Sequence, residues 1–184
     1  YRGQRLGGPV APQAPAAPQF AVYGPTFLDV VMGPLDGPPV PGREAWVEGA
    51  LMCAGGAANQ AIALARLGAP VRLHSRVGVD QMGVFVDKML AREGVDTSSC
   101  ERVGDQNVTV SLSFDGDRAM TTRGTTALPR LGGDAPACLL ADVRGISANS
   151  EVVSSWRERG TWVLADTAWD EAGAWDEADL ESLR

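Results

Sequence analysis

Of histidine and lysine this chain has one residue each, His74 and Lys88. With one histidine, a Ser-His-Asp or Cys-His machine would rest entirely on His74. That residue lies in an apolar stretch that reads as a strand, where a histidine is more often structural than catalytic. The three cysteines, Cys53, Cys100 and Cys138, are far apart and form no CxxC pair. Neither a zinc site nor a disulfide framework is suggested, and reduced buried thiols in a cytoplasmic protein are expected. No apolar run reaches 18 residues, and no charged segment followed by an apolar one opens the chain. A membrane-spanning helix and a secretory signal are therefore not expected, which agrees with a cytoplasmic location. The formal net charge of -7 offers no general attraction to nucleic acid or to anionic membranes, and neither is expected as a partner. An anionic substrate would need a local arginine site. There is no Gly-Lys-Ser/Thr, so no Walker A loop. A dinucleotide fingerprint counted from Gly55 would need glycine where Ala57 and Gln60 stand.

What is present suffices for one domain with a sizeable core, since 45% of the 184 residues are hydrophobic. Residues 1–19, rich in Pro, Ala, Gly and Gln, read as a disordered tail. Phe20–Tyr23 reads as a buried strand that leaves through Gly24-Pro25, and Phe27–Met32 as a second extended stretch. Residues 33–42 hold four prolines and three glycines and read as a loop. Glu44–Met52 is expected to be a strand and Ala57–Leu67 a helix closed by Gly68. Pro70–Val77 reads as a strand, and Gln81–Arg92 as a helix capped by Asp80, with Met82, Val86, Met89 and Leu90 on its apolar side. This alternation signals parallel α/β layers. Val108–Phe114 then alternates apolar and polar, turns at Asp115-Gly116 and returns through Arg118–Thr122, which predicts an antiparallel hairpin suited to a lid. Ala135–Ala141 is expected to be a weak helix, Val143–Ser147 a strand, Glu151–Arg159 a helix and Thr161–Asp166 a strand. The acidic stretch from Asp166 to Arg184 reads as helical.

The most informative segment is Ala54 to Gly78. Gly55 and Gly56 let backbone approach a ligand closely, and the helix start behind them offers free N–H donors. The Asn59 side chain donates and accepts, which suits sugar hydroxyls. Physics alone leaves two readings open: a ligand-gripping loop, or a plain turn that Asn59 fixes.

The run Ala54-Gly55-Gly56-Ala57-Ala58-Asn59-Gln60-Ala61, followed by Gly68 and Gly78, resembles the first signature of the ribokinase-like carbohydrate kinases, the PfkB family. Ala65-Arg66-Leu67-Gly68, Val77-Gly78-Val79-Asp80 and Gly83 fit its flanks, and Gly24 to Asp29 is similar to the family's opening strand. The resemblance covers about residues 20–184. It implies an α/β fold, a ribokinase-like three-layer α/β/α arrangement truncated at its C-terminal side, with small β lid strands within about 28–52 and 107–123. It implies phosphorylation of a sugar hydroxyl with ATP and Mg2+. Asp29 would then accept hydrogen bonds from two sugar hydroxyls, Gly55 and Gly56 would face the sugar with their backbone, and Asn59 would close the same pocket. A homodimer through the lid is a further implication. Arg123 reads either as a contact to an acidic or phosphorylated substrate or as a solvated strand end, and Asn149 as a residue near the pocket edge.

One departure is large. The family's late Gly-Ala-Gly-Asp turn, whose N–H groups steady the transferring phosphoryl group and whose Asp is the base, does not occur in these 184 residues. Asp134 and Asp166 lack the glycines that would make them substitutes. The expectation is therefore a chain carrying the sugar-binding half only, with no catalytic or metal-binding residue assigned, and inactive alone. A non-catalytic sugar-binding or interaction domain derived from such a kinase is the alternative, and an unrelated Rossmann-like module is a third reading. The sugar itself is not legible.

Overall fold

A computed structural model describes residues 19–167. Along the chain run β1 (Phe20–Tyr23), β2 (Thr26–Leu35), β3 (Gly49–Gly56), α1 (Ala57–Arg66), β4 (Val71–His74), β5 (Arg76–Val77) and α2 (Gln81–Arg92). Then follow β6 (Glu101–Arg102), β7 (Asn107–Phe114), β8 (Asp117–Arg123), β9 (Cys138–Asp142), α3 (Val143–Ala148), α4 (Ser150–Glu158) and β10 (Trp162–Asp166).

A parallel sheet in the order β10-β9-β1-β4 forms the middle layer. Its central strands β1 and β9 are near-continuous apolar runs because both their faces are covered, whereas β10 at the edge is largely exposed. On one face Val22, Val71 and Leu73 pack with Ala57, Ala58 and Ala61 of α1 and with Val86 and Leu90 of α2. On the other, Ala21, Tyr23, Leu139 and Ala141 pack with Ile146 of α3 and with Val153 and Trp156 of α4. The period-2 alternation along β1 and β9 sorts these side chains between the two layers of helices. The arrangement is three layers, α/β/α. Among the described residues no helix is long and apolar enough to cross a membrane.

A second sheet, β3-β2-β7-β8, stands apart as a lid. β2 and β7 run parallel, whereas β2/β3 and β7/β8 are antiparallel. The β7–β8 hairpin closes at Asp115 and Gly116, with φ values of 51° and 75°, both left-handed as a tight primed turn requires. The lid leaves the body through a buried polar knot. Ser75 Oγ donates to the Gly24 carbonyl at 2.6 Å and lies 2.8 Å from Thr26 Oγ1. Gln106, 1% exposed, donates from Nε2 to the Thr26 and Asn107 carbonyls and accepts from the Gly78 N–H at 2.9 Å. At the exit of β8, Asn107 exchanges two hydrogen bonds of 2.9 Å with the Thr125 backbone. Every polar group at the junction named here has a partner, which is how backbone can change sheets inside a core.

Five expectations need correction. Cys138–Asp142 is a strand and not part of a helix over 135–141, and Val143–Ala148 is a helix and not a strand. Four apolar residues in a row carry no periodicity that separates the two states. The deciding local signal is Asp142, whose side chain accepts from the Gly145 N–H and starts α3 in spite of Val143 and Ile146. The strand expected at Glu44–Met52 begins only at Gly49 and runs on through the two glycines, because β2 pairs with them directly: Phe27 lies opposite Gly55 and Thr26 opposite Gly56. Pro70–Val77 is broken at Ser75, where the hydroxyl serves the knot. In α2, Asp80 caps as expected, accepting from the Gly83 N–H at 2.8 Å, but Met82 is exposed. Residues 1–18 of the expected tail and the helix expected after Asp166, from 168 on, lie outside the described residues.

The knot sets an expected cost. Gln106→Ala leaves the Gly78 N–H and the Thr26 carbonyl without their partner and should destabilise the fold by about 2–4 kcal/mol in urea unfolding. A change below about 0.5 kcal/mol would show that Gln106 does not hold the lid.

Candidate functional site

The site starts from a steric fact. Asp29 stands half-buried near the start of β2, opposite Cys53 on β3 and Thr109 on β7. Its carboxylate lies over Gly55: a Cβ added to Gly55 would come within 1.8 Å of Asp29 Oδ2. The carboxylate thus fills the space that any side chain at 55 would need. Gly56 is constrained differently. Its φ of 63° is left-handed, and an added Cβ would meet the Pro25 carbonyl oxygen at 2.3 Å and the Phe27 ring at 2.8 Å. The turn it makes lets the Ala57 N–H donate to the Pro25 carbonyl at 2.9 Å, and α1 begins there. Asn59 follows in the first turn, its side chain exposed. The structure therefore brings Asp29 and Gly55 into direct contact, makes Gly56 the N-cap of α1, and sets Asn59 just beyond it.

Burial pushes the Asp29 carboxyl above its usual range, while a hydrogen bond with Thr109 and the charge of Arg118 pull the other way. Cys53 beside it is also raised, by burial first and then by the Asp29 charge.

A hollow of about 220 Å³ opens next to Gly56, at the carboxyl end of the central strands. It is lined by Tyr23, Gly24, Gln60, Asp142 and Asp166 among others, and Gln60 Nε2 donates to Asp166 Oδ2 at 3.3 Å. This is the edge of a parallel sheet where ligands of α/β folds collect. Its carboxylates can accept hydrogen bonds from ligand hydroxyls. Sequence reading missed Asp142 and discounted Asp166; the available signal was that each ends an apolar run at a strand's carboxyl end. Thr109 was missed too, although the polar alternation Thr109, Ser111, Ser113 marks one face of β7.

Other candidates fall elsewhere. Arg123 pairs with Asp105, and by register it shares a face with Val108, whereas Thr122 shares the face of Thr109 and Asp29. That favours the strand-end reading of Arg123. Asn149 is no pocket-edge residue: it is 6% exposed, accepts from the Leu131 N–H at 2.9 Å and donates to the Gly145 carbonyl at 2.8 Å, tying α3 to a loop. His74 is buried at the end of β4, and burial, reinforced by Arg72, lowers its pKa to about 4, so it is neutral at pH 7. Among the described residues no group of three metal-ligating side chains could hold a metal ion.

A three-layer body with a β lid over a glycine-led helix is the ribokinase-like arrangement, and solved structures agree. A PfkB protein from a Polaromonas species superposes with a TM-score of 0.67 at 22% identity, over 90% of this chain and 63% of that one. The ribokinase of Arabidopsis thaliana, complexed with ribose and ATP, gives 0.64 at 21% identity, over 84% and 55%. Residues 47–127, from β3 through the lid hairpin, match the family described as pfkB family carbohydrate kinase. A 2-dehydro-3-deoxygluconokinase from Bacillus subtilis (strain 168) is 46% identical over 56 residues, which is 30% of this chain and 17% of that protein. The chain thus spans little more than half the length of these solved relatives and a smaller part of the curated one.

The raised Asp29 carboxyl carries a sign. A folded-state value above the unfolded one means that ionisation costs stability as pH rises through it. Asp29→Asn should therefore melt higher than the parent at pH 7, with the gap narrowing as pH falls toward 4. An equal or lower melting temperature at pH 7 would contradict this.

Proposed function

We propose that this chain forms the sugar-binding half of a PfkB carbohydrate kinase, an enzyme that transfers a phosphoryl group from ATP to a sugar hydroxyl. The observation that carries the reading is the Asp29 carboxylate seated on Gly55, at the mouth of a helix led by Gly56, within the family-matched fold. A carboxylate kept half-buried at a cost to stability, beside backbone with no side chain, suits a polyhydroxylated ligand. In this reading Asp29 accepts two sugar hydroxyls, the backbone of Gly55 and Gly56 lines the sugar, and Asn59 closes the pocket. The lid sheet shields the reacting hydroxyl from water. Solvent-exposed Leu51 and Met120, which share one face of the lid by register, give it an apolar surface that a second copy of the chain could cover.

ATP use is inferred from the family and from solved relatives such as the ribokinase of Cryptococcus neoformans, described in complex with ADP. Among the described residues no group of three metal-ligating side chains is present, and none is assigned to the nucleotide's magnesium, which one or two carboxylates with phosphate oxygens and water would hold. The sequence holds no Gly-Ala-Gly-Asp turn either. No step of phosphoryl transfer is therefore assigned to residues of this chain, and the chain alone is read as inactive. A second reading is a non-catalytic sugar-binding domain; ATP-dependent turnover, or its lack, separates the two.

Calorimetric titration of the chain with ribose, fructose and 2-dehydro-3-deoxygluconate tests the sugar site common to both readings. One of them should bind saturably, and Asp29→Ala should weaken that binding at least about a hundredfold, since two hydrogen bonds to a charged group are lost at roughly 1.5–3 kcal/mol each. Unchanged affinity in the variant would remove Asp29 from the site.

A further inference from the structure

The lid does more than carry Asp29. The register β2/β7 sets Thr109 directly beside Asp29, and the register β7/β8 sets Thr122 directly beside Thr109, so all three side chains share one face of the sheet. Thr109 is 8% exposed, and its Oγ1 lies 3.1 Å from Thr122 Oγ1. A hydroxyl has one proton to give. If Thr109 gives it to the carboxylate, its own oxygen accepts from Thr122, and the three groups form a directed chain across three strands. On its other side the carboxylate is bounded by the backbone of Gly55.

We infer that Thr109, backed by Thr122, is the positioning residue that fixes the orientation of the Asp29 carboxylate for hydroxyl binding. The inference deepens the sugar-site reading and rests on it for its functional meaning. Its geometry is independent of any sugar. Gly55 blocks rotation from one side, and the threonine hydroxyl holds one part of the carboxylate from the other, leaving the remaining lone pairs for ligand hydroxyls. The other groups acting on Asp29 are Arg118 of β8, which favours the ionised form, and Cys53 of β3, a neutral thiol at pH 7. Burial works against ionisation, so the hydroxyl offsets a cost that the pocket imposes.

The test is a 13C titration of the Asp29 carboxyl in the 184-residue chain. Thr109→Val keeps the shape and β-branching but removes the hydroxyl. It should raise the Asp29 midpoint by about 0.5–1 pH unit, while Thr109→Ser should hold it at the parent value. A midpoint unmoved in Thr109→Val overturns the assignment. Should that variant not fold, Thr122→Val decides: a rise supports the hydroxyl chain, and an unmoved midpoint overturns it. Titration of the same samples with ribose, fructose and 2-dehydro-3-deoxygluconate reads the functional part, with a three- to tenfold loss of affinity expected for Thr109→Val, about the worth of one such hydrogen bond. A parent chain that binds no sugar while the midpoint still moves supports the positioning role of Thr109 and overturns the sugar reading.

Discussion

A charged carboxylate on a β-sheet, out of full contact with water, persists only where something replaces the lost hydration. Here the replacement is assembled from sheet register. The antiparallel pairing of β2 with β3 puts Gly55 under Asp29, and the parallel pairing of β2 with β7 puts Thr109 beside it. A slip of one residue in either pairing would turn the partner to the opposite face. The pairing of these strands, the glycine at 55 and the position of the lid over α1 are thus one constraint seen from three sides.

That constraint needs a lid that cannot slide. The knot of Thr26, Ser75, Gln106 and Asn107 supplies the fixed point, since it binds the first residue of β2, the break between β4 and β5, and the first residue of β7 to one another. Beneath it, the parallel sheet with helices on both faces is the rigid body on which the lid is mounted. The division of labour is physical. Apolar burial sets the body, and hydrogen bonds with little geometric tolerance set the angle of the lid.

Much of this was legible from residue pattern. The glycine pair ahead of Ala57–Leu67, the cap at Asp80 and the Asp115-Gly116 turn each act through local backbone chemistry, and each falls where the pattern put it. What failed were the elements whose state is decided by distant neighbours. Cys138–Asp142 is a strand because β1 and β10 flank it, and nothing in its four apolar residues says so. The polar knot was invisible for the same reason: Gln106 and Thr26 are 80 positions apart. Within the site, Asp29, Gly55, Gly56 and Asn59 were named by resemblance to a family signature, whereas the reason for glycine at 55, the carboxylate lying on it, needed coordinates. Thr109 lay within reach of sequence, as the first polar position of an alternating strand, but its partner did not.

The central claim is that the face carrying Asp29, Gly55 and the start of α1 is a sugar site. Amide chemical-shift mapping of the chain during titration with ribose, fructose and 2-dehydro-3-deoxygluconate addresses it directly. The account predicts that one sugar shifts a contiguous set of amides, centred on Asp29, Gly55, Gly56 and Asn59 and reaching Thr109, with little change at β5 and β6. Shifts that avoid this set, or none with any of the three at millimolar concentration, would contradict it.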